Sequence, residues 1–313
     1  MPSWLLGFLQ KKFLYQPVIE KKGISVADPP LFDTVFFEVR TRCNGECAFC
    51  LAAVATDPRP DQSMSLALYE KILNDLCAIG FTGRLAFHNN SDPLIFKHLT
   101  EFVALARRRL PQCRIQILTN GKALNVRRAD GLIKAGINEL LVNFYHDDPQ
   151  AAFPAAFQEI AQTVLPRYYP PEALHIQGVG EEHRGDNPQF HYQVTRRAVT
   201  AVLSSRAGNA PNKSAPSPQP RGFCQYPWTQ FIVTADGRVA LCCNDVLFVE
   251  KIGSVQDNTV LEVWRGEGFR SYRERLINGE RHAMPNTCGQ CDFYGIKKPG
   301  KGWLARWIYE KTL

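Results

Sequence analysis

No run of ~18 apolar residues occurs anywhere in the chain, so no transmembrane helix is expected. A secretory signal is missing as well. Residues 1–15 are partly apolar, but Lys11 and Lys12 fall inside them, and the order of charged region, apolar region and small-residue cleavage site is absent. The expected location is the cytoplasm, and membrane contact is not expected. Charge is sparse, at 21% of residues, whereas 45% are hydrophobic, a balance that excludes a wholly disordered chain. Internal repeats are lacking. The net charge of +7 is too weak a bias to argue for a nucleic-acid partner, and a basic solvated surface explains it. The 313 residues suggest about two domains, or one large α/β domain with an appendage.

Cysteine, by contrast, is plentiful at ten residues. Neither the size nor the missing signal suits a disulfide-stapled secreted module. In a reducing compartment, clustered cysteines read as metal or cluster ligands, or as catalytic groups.

Residues 34–40, TVFFEVR, are rich in β-branched and aromatic types and read as a buried strand. Helical spacing follows over 65–79, then a strand at 84–88, a helix at 97–110, a strand at 113–119 and a turn at Asn120-Gly121. A helix at 126–135 stops at Gly136. A strand at 139–144, a helix at 149–164 and a fifth strand at 173–178 complete the series. Such alternation implies parallel βα units with right-handed crossovers, and the chemistry of such sheets sits at the C-terminal ends of the strands. A sixth strand is not visible. Residues 193–204 read as a further helix, and residues 207–222, with four prolines, read as a linker or mobile loop. Beyond it come a hairpin over 229–241 around an Asp-Gly turn and a helix over 259–277.

The segment Arg42 to Cys50, RCNGECAFC, sets Cys43-x3-Cys47-x2-Cys50 directly after the first strand. Three thiolates on a tight loop can hold three irons of a 4Fe–4S cube and leave the fourth iron open. Zinc would want a fourth protein ligand, and none is local. Downstream lie Cys224, Cys242, Cys243, Cys288 and Cys291. Four thiolates from a hairpin and a distant CxxC make a closed site, for structural zinc or for a fully ligated 4Fe–4S cluster.

The first loop, with Phe49 before its last cysteine, resembles the radical S-adenosylmethionine superfamily. In that family the open iron chelates the amino and carboxylate groups of S-adenosyl-L-methionine. Reductive cleavage then yields a 5′-deoxyadenosyl radical that abstracts a hydrogen atom from substrate, while the protein orients the reactants and excludes water. The resemblance implies a partial (β/α) TIM-like barrel of five to six βα units over 31–205, after an N-terminal extension at 1–30. The family's Gly-Gly-Glu-Pro segment corresponds here to Asn90-Ser91-Asp92-Pro93, with both glycines replaced. Asp92 keeps an acceptor for an ammonium group, or else caps a helix near Phe96. Asn143 falls where the family places a small polar residue for the ribose or carboxylate. Ile176 and Gly178 match a strand motif that packs on adenine, although Ile176 also suits a plain core position.

The segments around Cys224, Cys242 and the Cys288-x2-Cys291 pair resemble the SPASM/twitch accessory domain. No cysteine follows Cys291, which implies the shorter twitch form over 223–295, a small α+β unit whose single 4Fe–4S cluster is held by Cys224, Cys242, Cys288 and Cys291. That makes two 4Fe–4S clusters in all, beyond a loop at 206–222. Cys243, on a strand, would point opposite to Cys242 and is either a hydrogen donor to a substrate radical or a small buried hydrophobe. Cys77 and Cys113 read as structural. In the tail at 296–313, Trp303, Leu304, Trp307 and Ile308 form an apolar stripe that docks on its own domain or touches a membrane surface or partner.

A four-thiolate cluster cannot bind substrate without losing a ligand, so its expected use is to carry an electron away from a product radical. That favours net oxidation of a small molecule, as in dehydrogenases of aminocyclitol biosynthesis, or of a peptide, as in ribosomal-peptide maturation. Redox-neutral epimerisation or rearrangement is the alternative, and a non-enzymatic iron–sulfur or zinc protein is the reading from another class. The expected partners are an external electron donor such as flavodoxin or ferredoxin and a peptide or small-molecule substrate. A peptide would need a separate leader-binding partner, because only 42 residues precede Cys43.

Overall fold

The computed structural model describes residues 3–168, 190–214, 222–296, 304, 305, 307 and 308. Strands β1 (Thr34–Phe37), β2 (Arg84–Ala86), β3 (Arg114–Thr119), β4 (Glu139–Tyr145), β5 (His191–Arg197), β6 (Gln230–Val233) and β7 (Val239–Ala240) form one sheet. Their order is β5-β4-β3-β2-β1-β6-β7, and all neighbours are parallel except β6 and β7. Helices α1 (Ser3–Gln10) and α2 (Gln16–Lys22) precede the sheet. Helices α3 (Leu66–Ala78), α4 (Leu99–Arg109), α5 (Val126–Ala135) and α6 (Ala155–Glu159) follow β1 to β4 in turn, and α7 (Val260–Arg265), α8 (Glu267–Ile277) and α9 (Asn286–Gln290) follow β7.

Local chemistry sets these boundaries. Ser65 starts α3 by accepting from the Leu68 amide, and Asn125 does the same for α5 at Arg128. Gly136 ends α5 with φ of 98°, a conformation that costs glycine little. The helical pattern expected from 149 begins only at Ala155, because Pro154 is the residue before the first turn. The helix expected over 259–277 is two helices. Gly266 sits between α7 and α8 in an extended conformation, and a Cβ there would lie 2.8 Å from the Glu262 carbonyl.

Side chains alternate across the sheet. Val35, Phe37, Leu85, Phe87, Phe231 and Val233 face the main core, which contains the buried faces of α3, α4 and α5. Phe36, Ala86, Ile232 and Ala240 face the other way and make a smaller apolar cluster with Phe248 and Cys243. Helices α3, α4 and α5, and α6 through Phe157, thus pack on one face of the sheet.

Two expectations need correction. Residues 193–204 are not a helix: His191–Arg197 is β5, paired residue for residue with β4 from Glu139 to Tyr145. Val194 and Thr195 are β-branched, and a ready neighbouring edge overrides a weak helical pattern. The strand expected at 173–178 lies outside the described residues, and so do Ile176 and Gly178. The sixth parallel strand comes from the expected hairpin: β6 pairs with β1, Thr34 facing Gln230. The segment after residue 222 therefore shares the first segment's sheet and core.

Both termini pack inward. Leu14 and Tyr15 are buried, Gln10 Nε2 donates to the Tyr294 hydroxyl at 3.0 Å, and the indoles of Trp228 and Trp264 donate to the carbonyls of Ser25 and Pro30. Of the tail stripe, Leu304 and Ile308 pack on the core and Trp307 is exposed, while Trp303 lies outside the described residues. The stretch after residue 204 is anchored too: Ser205 N donates to Asp292 at 2.8 Å, and Ala207 and Ala210 are buried. Among the described residues no helix is long and apolar enough to cross a membrane.

Phe231 on β6 is fully buried against Phe32, Trp264 and Phe269. Phe231→Ala is expected to cost ~3–5 kcal/mol. Urea unfolding followed by tryptophan fluorescence and by circular dichroism should shift as a single transition. Two separate transitions, only one of them shifted, would show that the two segments fold independently.

Candidate active site

The loop leaving β1 carries Cys43, Cys47 and Cys50, all half-buried. Their thiols line one cavity at the C-terminal ends of β2, β3 and β4, together with Phe49, Asn90, Ser91, Asp92 and Asn143. Five sequence-nominated positions thus join the three thiols, and of the cofactor-contact positions nominated among the described residues only Pro93, buried next to Asp92, is outside the lining. The turn is held by Cys50 N donating to the Cys47 carbonyl. Cys43 Sγ accepts from the Gly45 amide at 3.3 Å and from Asn120 Nδ2 at 3.6 Å. Burial, with the Asp92 carboxylate nearby, pushes the Cys43 thiol up to about 11. Burial and the two neighbouring thiols push Cys47 up to about 12. Such thiols are protonated in water near neutrality, so a metal that takes them must displace protons.

Asp92 is 2% exposed, and both its oxygens are engaged. Oδ1 caps the short turn Pro93–Ile95 by accepting from Leu94 N at 2.9 Å. Oδ2 accepts from Thr119 Oγ1 at 2.8 Å and Asn120 N at 2.7 Å, while the Asp92 amide donates to the Arg42 carbonyl. The helix-cap alternative therefore holds, and only spare lone pairs remain for an ammonium group.

Asn90 is held from three sides. Its amide donates to Glu38 Oε2, its carbonyl accepts from Arg59 at 2.7 Å, and its Oδ1 accepts from Arg206. Arg59 in turn pairs with the buried Glu38 at 2.8 Å and with Asp57 at 2.8 Å. Asn143 Oδ1 accepts from Arg197 Nε at 3.0 Å, and the Phe49 ring lies 5.7 Å from that of Tyr145.

Three buried nitrogens of the cavity wall find no partner among the described residues: His88 Nδ1, Asn89 Nδ2 and Asn90 Nδ2. Burial, helped by Arg84, pushes the His88 imidazole down to about 3, so it is neutral. Unpaired buried polar groups are costly, and a polar ligand in the cavity would satisfy them. His88, Asn89, Asn120 and Tyr145 were not singled out from the sequence. Their signal was position, since each lies at or just past a strand's C-terminal end.

Cys224, Cys242, Cys288 and Cys291 are buried and line a second, small cavity with Tyr226, Asn244, Arg281 and Phe293. Burial and the nearby thiols of Cys243, Cys288, Cys291 and Cys224 push the Cys242 thiol well up. Burial pushes Cys224 up to about 11, and Arg281 opposes that rise. Cys291 Sγ accepts from Asn244 Nδ2 at 3.3 Å and Phe293 N at 3.4 Å. Among the described residues no three Cys, His, Asp or Glu side chains are placed to hold a single metal ion. Four thiols round one cavity form a donor set that fits a fully ligated four-iron cluster.

Cys243 departs from its expected setting. The strand ends at Ala240, so alternation along β7 does not place it. It lies half-buried against the small apolar cluster, its amide donating to Gln230 Oε1. Cys113 is buried with its thiol donating to the Phe81 carbonyl, and Cys77 donates to Arg109. A larger cavity of about 730 Å³ lies at the N-terminal ends of β1, β2 and β6 and is lined by none of the cysteines.

Comparison with known proteins places these sites in context. Residues 37–164 match the Radical SAM superfamily, and residues 224–292 match SPASM, an iron-sulfur cluster-binding domain. The chain is 26% identical over 270 residues to an S-adenosyl-L-methionine-dependent 2-deoxy-scyllo-inosamine dehydrogenase of Niallia circulans, covering 85% of this chain and 95% of the relative. Among solved structures, BtrN in complex with AdoMet and 2-DOIA superposes with a TM-score of 0.66 at 24% identity, covering 88% of this chain and 99% of that one. Streptococcus suis SuiB bound to precursor peptide SuiA superposes with a TM-score of 0.52 at 12% identity, covering 92% and 74%. At these identities the superpositions establish the fold.

The Asp92 tie can be tested without any cofactor. Asp92→Asn turns a donor toward groups that already donate, and is expected to lose ~1–3 kcal/mol of stability in urea denaturation. Unchanged stability would mean that the carboxylate does not hold these loops together.

Proposed function

The chain belongs to the radical S-adenosylmethionine superfamily and carries a SPASM-type iron–sulfur domain, and from that premise we propose that it is a dehydrogenase of a small polyhydroxylated or amino-substituted substrate. S-adenosylmethionine and a 4Fe–4S cluster belong to the first domain, and further iron–sulfur ligation to the second. The observation that carries the reading is the closed cavity with four thiols, which leaves no ligand position for substrate and so suits an electron acceptor. The dehydrogenase from Niallia circulans supports it, because the match covers 85% of this chain and 95% of that protein.

In this reading Cys43, Cys47 and Cys50 hold the first cluster, and Cys224, Cys242, Cys288 and Cys291 the second. Bound there, the first cluster would supply the electron for reductive cleavage of S-adenosylmethionine, and the second would take up the electron left when a carbinol that has lost a hydrogen atom also loses its hydroxyl proton to become a ketone. The remaining work falls to side chains. Asn90, Ser91, Asp92 and Asn143 offer acceptors and donors to the amino, carboxylate and ribose groups of the cofactor. The unpartnered nitrogens of His88, Asn89 and Asn90 await hydrogen-bond acceptors, and the neutral His88 ring can donate or accept without adding charge. Phe49 and Tyr145 form an aromatic wall that excludes water. Arg59 and Glu38 fix Asn90 so that its amide is oriented before the ligand arrives. The peptide alternative rests on fold alone, at 12% identity.

Anaerobically reconstituted protein, given dithionite, S-adenosylmethionine and an amino polyol deuterated at the reacting carbon, should form deuterated 5′-deoxyadenosine and a ketone. Replacing Cys43, Cys47 and Cys50 together with Ala should abolish 5′-deoxyadenosine and remove roughly half of the bound iron, as expected if each site holds one four-iron cluster. Cys288→Ala with Cys291→Ala should leave uncoupled cofactor cleavage but no ketone. Zinc in place of iron in the second site, or normal ketone turnover by the soluble double variant, would overturn the assignment.

A further inference from the structure

Arg281 stands in the wall of the four-thiol cavity without a part in ligation. It opens the short turn Arg281–Ala283, is 1% exposed, and sends its terminal nitrogens to the carbonyls of Phe293 and Cys291. Its Nε finds no partner among the described residues, and no carboxylate there pairs with it. An isolated buried guanidinium is costly unless an anion lies close by. Arg281 lines the same cavity as Cys224, Cys288 and Cys291, and once these ligate a cluster their thiolates would be the anions at hand.

We propose that Arg281 is the fixed countercharge of the second cluster, and that it raises that cluster's reduction potential so that it accepts an electron. The inference rests on the functional reading above. Reducing a cluster by one electron adds negative charge, which a neighbouring cation stabilises and a neighbouring anion opposes. The Asn244 and Phe293 donors on Cys291 Sγ act in the same direction as the guanidinium. One opposing group is present: the buried Glu250, held by Thr287 N and the Tyr272 hydroxyl, acts on Cys288, but less strongly than Arg281 does.

The first site has the reverse polarity. The buried carboxylate of Asp92 acts on Cys43. The cation that acts on Cys47, Lys122, is half-exposed and already paired with Glu46 at 3.1 Å, so solvent and its partner blunt its effect. Opposite buried charges beside the two thiol sets order their potentials: low where an electron must be given to S-adenosylmethionine, higher where one must be taken from the substrate radical.

The test uses the full-length chain with Cys43, Cys47 and Cys50 replaced by Ala, so that one cluster contributes the signal. In an anaerobic redox titration followed by electron paramagnetic resonance, Arg281→Gln should move the midpoint potential downward from the parent value. Arg281→Lys, which keeps the charge, should fall between the two. A second measurement leaves position 281 untouched: the reduced cluster of parent protein labelled with ¹⁵N-arginine should show hyperfine coupling to an arginine nitrogen. A glutamine variant that titrates at the parent potential overturns the proposal, as does a reduced parent cluster with no arginine coupling. If the glutamine variant holds no iron, the lysine variant and the labelled parent decide. A parent that binds zinc and no iron overturns the functional reading itself, a result distinct from either.

Discussion

The carboxylate of Asp92 joins three loops that would otherwise splay apart at the C-terminal ends of the strands. It accepts from Leu94 in its own turn and from Thr119 and Asn120 at the end of β3, and its amide reaches the Arg42 carbonyl beside the first cysteine. Asn120 then passes the tie onward to Cys43 Sγ and Asn44. Each bond is an ordinary one. Together they convert a cysteine loop without regular structure into a fixed set of ligands, because the loop is pinned to two strands whose spacing the sheet already determines. The buried pair of Arg59 and Glu38 does the same on the opposite flank, through Asn90.

What could be read in the sequence was whatever depends on neighbours along the chain. Cys43-x3-Cys47-x2-Cys50 is a local spacing, and so are the β-branched and aromatic run of β1 and the turn and stop at Asn120-Gly121 and Gly136. The hairpin around Asp236-Gly237 was equally local. The misread elements depend on distant partners. Residues 191–197 are a strand because β4 offers an edge, not because their own pattern demands it. The break at Gly266 needed the backbone geometry as well as the residue type. Gln230–Val233 could be recognised as a strand but not as a neighbour of β1. At the sites, Asn120 read as a turn residue, and nothing in the polar run NGERHAMP singled out Arg281. Only the fold shows that the first touches Cys43 Sγ and that the second lines one cavity with Cys224, Cys242, Cys288 and Cys291.

The two thiol sets differ in more than number. The first opens onto a cavity lined with half-satisfied polar groups, a surface that gains by binding something. The second is enclosed by Tyr226, Pro227, Leu241 and Phe293, with sulfurs already hydrogen-bonded. An open site suits exchange of cofactor and product. A sealed one suits a group that stays in place and passes only electrons, since burial also shields it from water and oxidants.

The pairing of β6 with β1 bears on how the molecule comes to exist at all. β1 is the first strand made, yet its second neighbour lies roughly 200 residues downstream, so this contact closes a very long loop. While the ribosome is still extending the chain, one edge of β1 remains bare, and its flanking residues Val35 and Phe37 lack the aromatic cover of Phe231 and Trp264. The nascent chain thus presents an adhesive edge for most of its synthesis, beside the loop that carries Cys43, Cys47 and Cys50. Yield of the native protein should therefore depend on chaperones and slow growth as much as on iron supply, and premature termination before residue 230 leaves a sheet with no way to cover that edge.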